Sequence, residues 1–227
     1  MDGSRSRRRL VTILGLFAGS LFCVALVAVR NVHTGNANFR YLIWNLFLAW
    51  IPFALAVFVY DRRRRVGAGI SLLALGALWL LFFPNAPYIA TDFVHLERGS
   101  LVPYWYDAIT IAAFAWMGLL LGFASLYLMQ TVVKQWFGAA VGWSFAAVAI
   151  ALASLGIYLG RFLRLNSWDA LEHPSVLPRI AHAVARDPFA YREAIAVTVL
   201  FTAALSFAYL LLYSFAAVGL ELDEGER

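Results

Sequence analysis

The chain has 227 residues, of which 63% are hydrophobic and 14% are charged, and its mean hydropathy is +0.75. A soluble domain is about half apolar and about a quarter charged, so this composition excludes an ordinary soluble protein and indicates an integral membrane protein. The net charge of +5 does not predict a nucleic-acid partner, because many of the arginines cluster beside apolar segments, where they set membrane topology. The single cysteine, Cys23, allows no intrachain disulfide.

Apolar segments long enough to cross a hydrocarbon core of about 30 Å, at about 1.5 Å per residue, follow one another along the chain. We predict an all-α polytopic bundle, organised as one transmembrane domain. Its six spans are expected at residues 10–29, 41–60, 66–83, 106–129, 139–160 and 194–220. The first segment is longer than the apolar region of a signal peptide, so we expect it to remain as a span.

The second predicted span contains two residues that are unusual in a membrane helix. Pro52 lies at its middle and should kink it, because proline removes one backbone hydrogen bond. Asn45 needs a partner inside the bundle, since an unpaired amide is costly in lipid. The sequence DRRRR at 61–65 is predicted to form a compact cationic loop after this span.

The stretch PNAPYIATDFVHLERGSLVPYW, at 84–105, joins the third and fourth predicted spans. It holds Asp92 and His95, two of the few ionisable residues close to the apolar sequence. Asn85 is predicted to cap a short helix in this stretch. Tyr88 would then share one helical stripe with Asp92 and His95, because their spacing is i, i+4 and i+7.

Small and polar residues mark the faces of the later spans. Asp107 lies in the first turn of the fourth span, where the helix dipole favours an anion. Gly118, Gly122 and Ser125 form a small-residue ridge suited to close helix contact. The last span carries a polar ribbon, expected to face other helices, that consists of Thr198, Thr202, Ser206, Tyr209 and Tyr213.

The exit from the fifth span reads YLGRFLRLNSWD and contains Arg161, Arg164, Asn166 and Asp169. The helix is expected to continue past the hydrocarbon edge and to end near Asn166. An amphipathic piece follows at 177–187 and is predicted to lie in the membrane interface.

The clusters RSRRR, near the start of the chain, and DRRRR decide the predicted orientation, because cytoplasmic loops are rich in lysine and arginine. Both termini are predicted to be cytoplasmic. The loops at 30–40, 84–105 and 160–193 are predicted to face outward. The expected location is the bacterial cytoplasmic (inner) membrane.

The segments PNAPYIATDFVHL and YLGRFLRLNSWD, together with NANFRYLIWNLFLAW and WYDAITIAAFAWMGLLLGFASLY, resemble a bacterial family of six-span integral membrane proteins. That family is known as domain of unknown function 1361. The resemblance covers roughly residues 36–215 and implies the same six-span fold. It implies no activity, substrate or catalytic residue.

Three polar motifs fall at the predicted outer ends of the helices and could converge on one shallow cavity. The first motif consists of Asn38, Arg40 and Asn45, the second of Asn85, Tyr88, Asp92 and His95, and the third of Arg161, Arg164, Asn166 and Asp169, with Asp107 nearby. Such a cavity would combine carboxylates, one imidazole and several guanidiniums.

Asp92 and His95 allow two interpretations. They could act as a general acid/base pair or as two metal ligands with Asp107 as the third. No strong metal-binding pattern accompanies them, so neither a metal nor another cofactor is predicted. The alternative is a structural network that ties this stretch to Arg161 or Arg164, since ion-pair networks produce the same clusters.

Arg161 and Arg164 also allow two interpretations. Guanidinium groups bind phosphate through paired hydrogen bonds, so these residues, with Arg40 and Asn166, could hold an anionic lipid headgroup. The alternative is ordinary snorkelling, in which the stems lie in lipid and the charges reach the interface.

The functional hypotheses follow from these motifs. The first is a protein that binds or modifies a lipid or lipid-linked phosphate at the outer face, with membrane lipids as partners. The alternative is a non-enzymatic accessory subunit, sensor or envelope-assembly factor that contacts another membrane protein through 177–187. A small transporter is less favoured, because the sequence shows neither a membrane-buried charge pair nor an inverted repeat.

Overall fold

A computed structural model of the protein describes residues 2–67, 69–96, 101–164 and 191–225, with single positions at 172, 175, 179, 182 and 186. Within these residues the protein is all-helical, and six helices are long and apolar enough to cross a membrane. The predicted fold class, a six-span transmembrane bundle, is therefore confirmed. Asn166, Asp169 and most of the segment 177–187 lie outside the described residues.

The described helices have the following bounds. They are α1 (Asp2–Thr34), α2 (Arg40–Val66), α3 (Ile70–Phe82), α4 (Asn85–Tyr88), a 3₁₀ helix (Ile89–His95), α5 (Tyr104–Phe137), α6 (Ala139–Phe162) and α7 (Arg192–Gly225). The third crossing consists of α3, α4 and the 3₁₀ helix together. Long helices thus extend beyond the apolar segments from which the spans were predicted.

Two predicted helix ends were wrong. The sequence DRRRR does not form a loop, because α2 continues through it and stops only at Gly67, whose φ of 65° ends a right-handed helix. Arginine favours the helix, so a run of arginines does not end one. The helix of the fifth span, α6, ends at Phe162 and not near Asn166 as predicted. Arg164 has a φ of 55° that is incompatible with a continuing helix.

Helix α5 lies at the centre of the bundle and is buried over more of its length than any other described span. One core cluster packs α5 against α3, α6 and α7, around Trp79 and Ile150. A second cluster packs α5 against α1, α2 and α4, around Leu42 and Phe114. The two sides of α5 therefore hold the two halves of the molecule together.

Glycines on α5 and α6 form a socket for the turn that follows α3. A Cβ atom at Gly118 would collide with the carbonyl oxygen of Ala86, and one at Gly122 would lie 3.1 Å from the Ala86 Cβ. On the opposite side, a Cβ atom at Gly156 would lie 2.8 Å from the ring of Pro84. Close approach of backbones needs residues without bulk, so these glycines set the depth at which α4 and the 3₁₀ helix sit.

The beginning of α1 and the late part of α7 lie at the same end of the bundle. Arg9 pairs with Asp61 near the end of α2, and Arg9, Tyr60 and Tyr213 line one cavity. We call this the termini end. The opposite end, which we call the ion-pair end, carries the end of α1, the start of α2, the 3₁₀ helix, the start of α5 and the end of α6.

Candidate functional site at the ion-pair end

A buried carboxylate lies at the centre of the ion-pair end. Asp92, on the 3₁₀ helix, is 1% exposed, and its Oδ1 accepts a hydrogen bond from Arg161 Nη2 at 2.5 Å. Its other oxygen, Oδ2, accepts from the Asn45 amide at 3.0 Å. A buried charge is tolerated when it is paired and hydrogen-bonded, and here both carboxylate oxygens have donors. Asn45 therefore has the partner inside the bundle that its position requires.

The Arg161 guanidinium contacts four residues of α4 and the 3₁₀ helix. Its Nε and Nη2 atoms donate to Thr91 Oγ1 at 2.9 and 2.6 Å, in addition to the bond with Asp92. Its Nη1 atom lies 2.9 Å from His95 Nε2, and its Cζ lies 4.6 Å from the centre of the Tyr88 ring. The last turn of α6 is thereby tied to α4 and the 3₁₀ helix.

The contact with Arg161 involves one of the two ring nitrogens of His95. A guanidinium can only donate hydrogen bonds, so His95 Nε2 is the acceptor in this contact. His95 is also solvent-exposed, and its ring lies edge-on to Tyr41 with centroids 5.2 Å apart. Of the Asp92–His95 pair, only the imidazole is open to solvent.

A second buried ion pair lies on the other side of α2. Arg30 Nε and Nη2 donate to the two Asp107 oxygens at 2.8 and 3.2 Å, and both side chains are at most 4% exposed. Arg30 Nη1 also donates to Asn36 Oδ1 at 3.1 Å, and the guanidinium stacks on Phe39 at 4.0 Å. The turn between α1 and α2 is held by this pair.

Tyr41 lies between the two pairs. Both carboxylates and both guanidiniums act electrostatically on its hydroxyl. The hydroxyl oxygen is buried and has no hydrogen-bond partner among the described groups. Buried polar atoms without a partner are unusual, and besides the Tyr41 hydroxyl this end has two more among the described residues, Asn31 Oδ1 and Thr110 Oγ1.

The structure brings together Asn45, Tyr88, Asp92, His95 and Arg161, which the sequence placed in three separate motifs. The expected α-helical stripe is not formed, because this stretch is a short α-helix followed by a 3₁₀ helix. Contacts of Arg161 with Tyr88, Thr91 and His95 nevertheless place these side chains around one guanidinium.

Other predicted members lie elsewhere. Asn85 does not cap its helix, since its amide donates to the Phe82 carbonyl at 2.9 Å. Asp107 belongs to the pair with Arg30. Arg40 and Arg164 are exposed at the ion-pair end.

Sequence reasoning missed Arg30, Tyr41 and Thr91. Arg30 stands alone at the end of an apolar segment, where an arginine is ordinarily expected to snorkel. The only sequence feature that indicated a partner for Arg30 was the opposite charge of Asp107, near the start of another span. Tyr41 and Thr91 directly adjoin predicted members of the site, but nothing in their spacing indicated that they face it.

Asp107, the third metal ligand considered, is not placed beside Asp92 and His95, because it forms an ion pair with Arg30. Among the described residues, no group of three His, Cys, Asp or Glu side chains is placed to hold a metal ion. The structure also contains two charge pairs that are buried within the protein, Arg30–Asp107 and Asp92–Arg161, which are of the kind sought as a sign of a transporter. Both pairs lie near helix ends rather than at mid-span.

A family model described as "Protein of unknown function (DUF1361)" matches residues 44–208, which is more than half of the chain. The matched region includes Asn45, Asp92 and Arg161 but begins after Arg30 and Tyr41. No curated protein and no solved structure matches the chain.

Proposed function

The chain belongs to the DUF1361 family of unknown function, and from the geometry of its ion-pair end we propose that it binds an anionic lipid headgroup or a lipid-linked phosphate there. The protein is a multi-pass membrane protein. In the proposal it lies in a bacterial inner membrane with both termini in the cytoplasm. The ion-pair end then faces the outer leaflet.

The observation that carries the proposal is the contrast between Arg161 and Arg164. Arg161 is fully engaged by its neighbours, and its charge is balanced by Asp92. Arg164 is exposed, forms no ion pair among the described residues, and has a left-handed φ of 55°. This left-handed conformation is a common way to end a helix at the residue after its C-cap, and here it separates Arg164 from the packed turn that contains Arg161.

Charge balance at this end supports an anionic ligand. Asp92 neutralises Arg161, and Asp107 neutralises Arg30. Arg40, at the first turn of α2, joins Arg164 as an exposed guanidinium without an ion pair in the described part of the chain. Guanidinium groups bind phosphate through paired hydrogen bonds, so Arg40 and Arg164 would provide the direct contacts.

The remaining members of the site take other roles in this proposal. Asp92 has both oxygens occupied and is 1% exposed, so it positions Arg161 and the end of α6 instead of touching a ligand. His95 is exposed, and Arg161 contacts its Nε2, so the other ring nitrogen is able to hydrogen-bond a phosphate oxygen. If the protein modifies its ligand, His95 is the group able to move a proton.

Native mass spectrometry tests the proposal on protein reconstituted with equal amounts of phosphatidylglycerol and phosphatidylcholine. We expect wild-type protein to retain phosphatidylglycerol preferentially, and the Arg40→Ala/Arg164→Ala variant to retain at least one molecule fewer. Arg186→Ala/Arg192→Ala, which removes two exposed arginines outside the proposed contacts, is the matched control for lost charge. Equal retention by the double variant and the wild type would refute the proposal.

A further inference from the structure

A cavity of about 350 Å³ lies at the termini end, between α1, α2, α5 and α7. Its wall is mainly apolar and includes Ile13, Val57, Ala124, Leu128 and Leu212. Along α2 the lining runs over two turns of helix, about 10 Å at 1.5 Å per residue. The cavity is therefore a narrow apolar channel beside the central helix.

The arrangement of the outer helices explains why this space stays open. Helix α1 packs on α5, whereas α7 packs on α6, so a strip of α5 between them is left uncovered. Both outer helices are apolar enough to span a membrane, which places the gap in contact with lipid. An empty apolar space forfeits the dispersion contacts of its lining, so hydrocarbon from the bilayer is expected to fill it.

One end of the cavity, which we call its mouth, lies beside Arg9 and the run of arginines at the end of α2. Arg9 lines it and forms two hydrogen bonds of 2.6 Å with the exposed carboxylate of Asp61. Tyr60 also lines it, and Arg63 stacks on the Tyr60 ring with its Cζ 4.4 Å from the ring centre. The Arg9 guanidinium keeps unused N–H groups in this arrangement, and its exposed ion pair with Asp61 is of a kind that contributes little.

We propose that this cavity binds one acyl chain of an anionic phospholipid, with Arg9 and Arg63 holding the phosphate at the mouth. The apolar channel matches a hydrocarbon chain, and the two guanidiniums match the charge of the headgroup. Arginines at 62, 64 and 65 add to the positive field that attracts anionic lipids. The site is separate from the one proposed at the ion-pair end.

The extent of the cavity favours a lipid chain over a helix of a partner protein. Its lining runs about 10 Å along α2, about a third of the hydrocarbon core of a bilayer, so a membrane-spanning helix would find only a short contact there. A segment of an acyl chain needs no longer surface.

Photo-crosslinking tests the proposal on the full-length protein in nanodiscs. The probe is phosphatidylglycerol with a diazirine on its acyl chain, diluted in unlabelled phosphatidylcholine, and crosslinks are mapped by peptide mass spectrometry. We expect crosslinks at Val57 and Leu128. Ala124→Trp, which fills the cavity, should reduce these crosslinks at least fivefold. Ala203→Trp adds the same bulk at an exposed position of α7 and should leave them unchanged.

The headgroup contact is tested with the Arg9→Gln/Arg63→Gln variant. We expect the phosphatidylglycerol probe to label Val57 and Leu128 more than a matched phosphatidylcholine probe in the wild type, and equally in this variant. If Ala124→Trp does not fold, Ala216→Trp blocks the exposed rim instead.

Three results would overturn the proposal: no labelling of Val57 and Leu128 in the wild type, unchanged labelling of these residues in both blocking variants, or equal labelling of the wild type by the two probes. The Arg40→Ala/Arg164→Ala variant should keep this labelling, so failure of the site at the ion-pair end would not be mistaken for failure of this one.

Discussion

Replacing Arg161 with methionine is expected to destabilise the protein by about 3–5 kcal/mol, because removal of one partner leaves the other charge buried and uncompensated. The loss of stability is expected to differ between replacement of Arg161 and replacement of Asp92. Asp92 is 1% exposed and cannot reach water, whereas the Arg161 side chain is 15% exposed and can turn outward. Asp92→Asn should therefore cost less, about 1.5–3 kcal/mol, the usual scale for a hydrogen bond to a charged group.

A double-mutant cycle isolates the interaction. The Asp92→Asn/Arg161→Met protein should be more stable than Arg161→Met alone, since the uncompensated carboxylate is gone. Unfolding free energies of the four proteins would be measured by chemical denaturation in detergent micelles. Arg164 is an exposed arginine on the same segment and provides the control. Its replacement by methionine should change stability by no more than about 0.5 kcal/mol.

The reasoning fails if Arg161→Met costs less than about 1 kcal/mol, or if the two single losses simply add in the double variant. Either result would mean that the carboxylate is not held in the ion pair that the structure shows. A large loss in the Arg164→Met control would show that the whole exit from α6 is sensitive to substitution.

Three further predictions concern other contacts of the described residues. Gly118→Ala should lower stability by about 1–3 kcal/mol, because the new Cβ meets the backbone of α4, whereas Gly15→Ala, with nothing within 4 Å, should be neutral or slightly stabilising in the same thermal-unfolding assay. Arg30→Gln should cost about 3–5 kcal/mol by leaving Asp107 buried without its partner, and an unchanged denaturation midpoint would contradict this. Cys23 is 1% exposed, so a maleimide should label it at least tenfold more slowly in native than in SDS-unfolded protein; equal rates would place it outside the core.

The sequence predicted many of the polar residues at the ion-pair end, but it did not predict which of them contact one another. The cost of an unpaired amide in lipid predicted that Asn45 must have a partner, and the partner is Asp92, 47 residues later in the chain. Arg161 and Arg164 are equivalent as sequence, three residues apart at the end of an apolar segment. Only the early end of α6 makes one of them part of the packed bundle and leaves the other exposed.

The number and order of the spans were determined by the sequence alone, because the thickness of a bilayer imposes a local requirement of length and hydropathy on each segment. The contacts at the ion-pair end were decided by the tertiary structure. They depend on the rotation of each helix about its axis and on its position in the bundle. Close approach at Gly118, Gly122 and Gly156 fixes the position of the turn between α3 and the 3₁₀ helix. That position brings Asp92 into contact with Asn45 and Arg161, which is a relation between distant segments that no local pattern specifies.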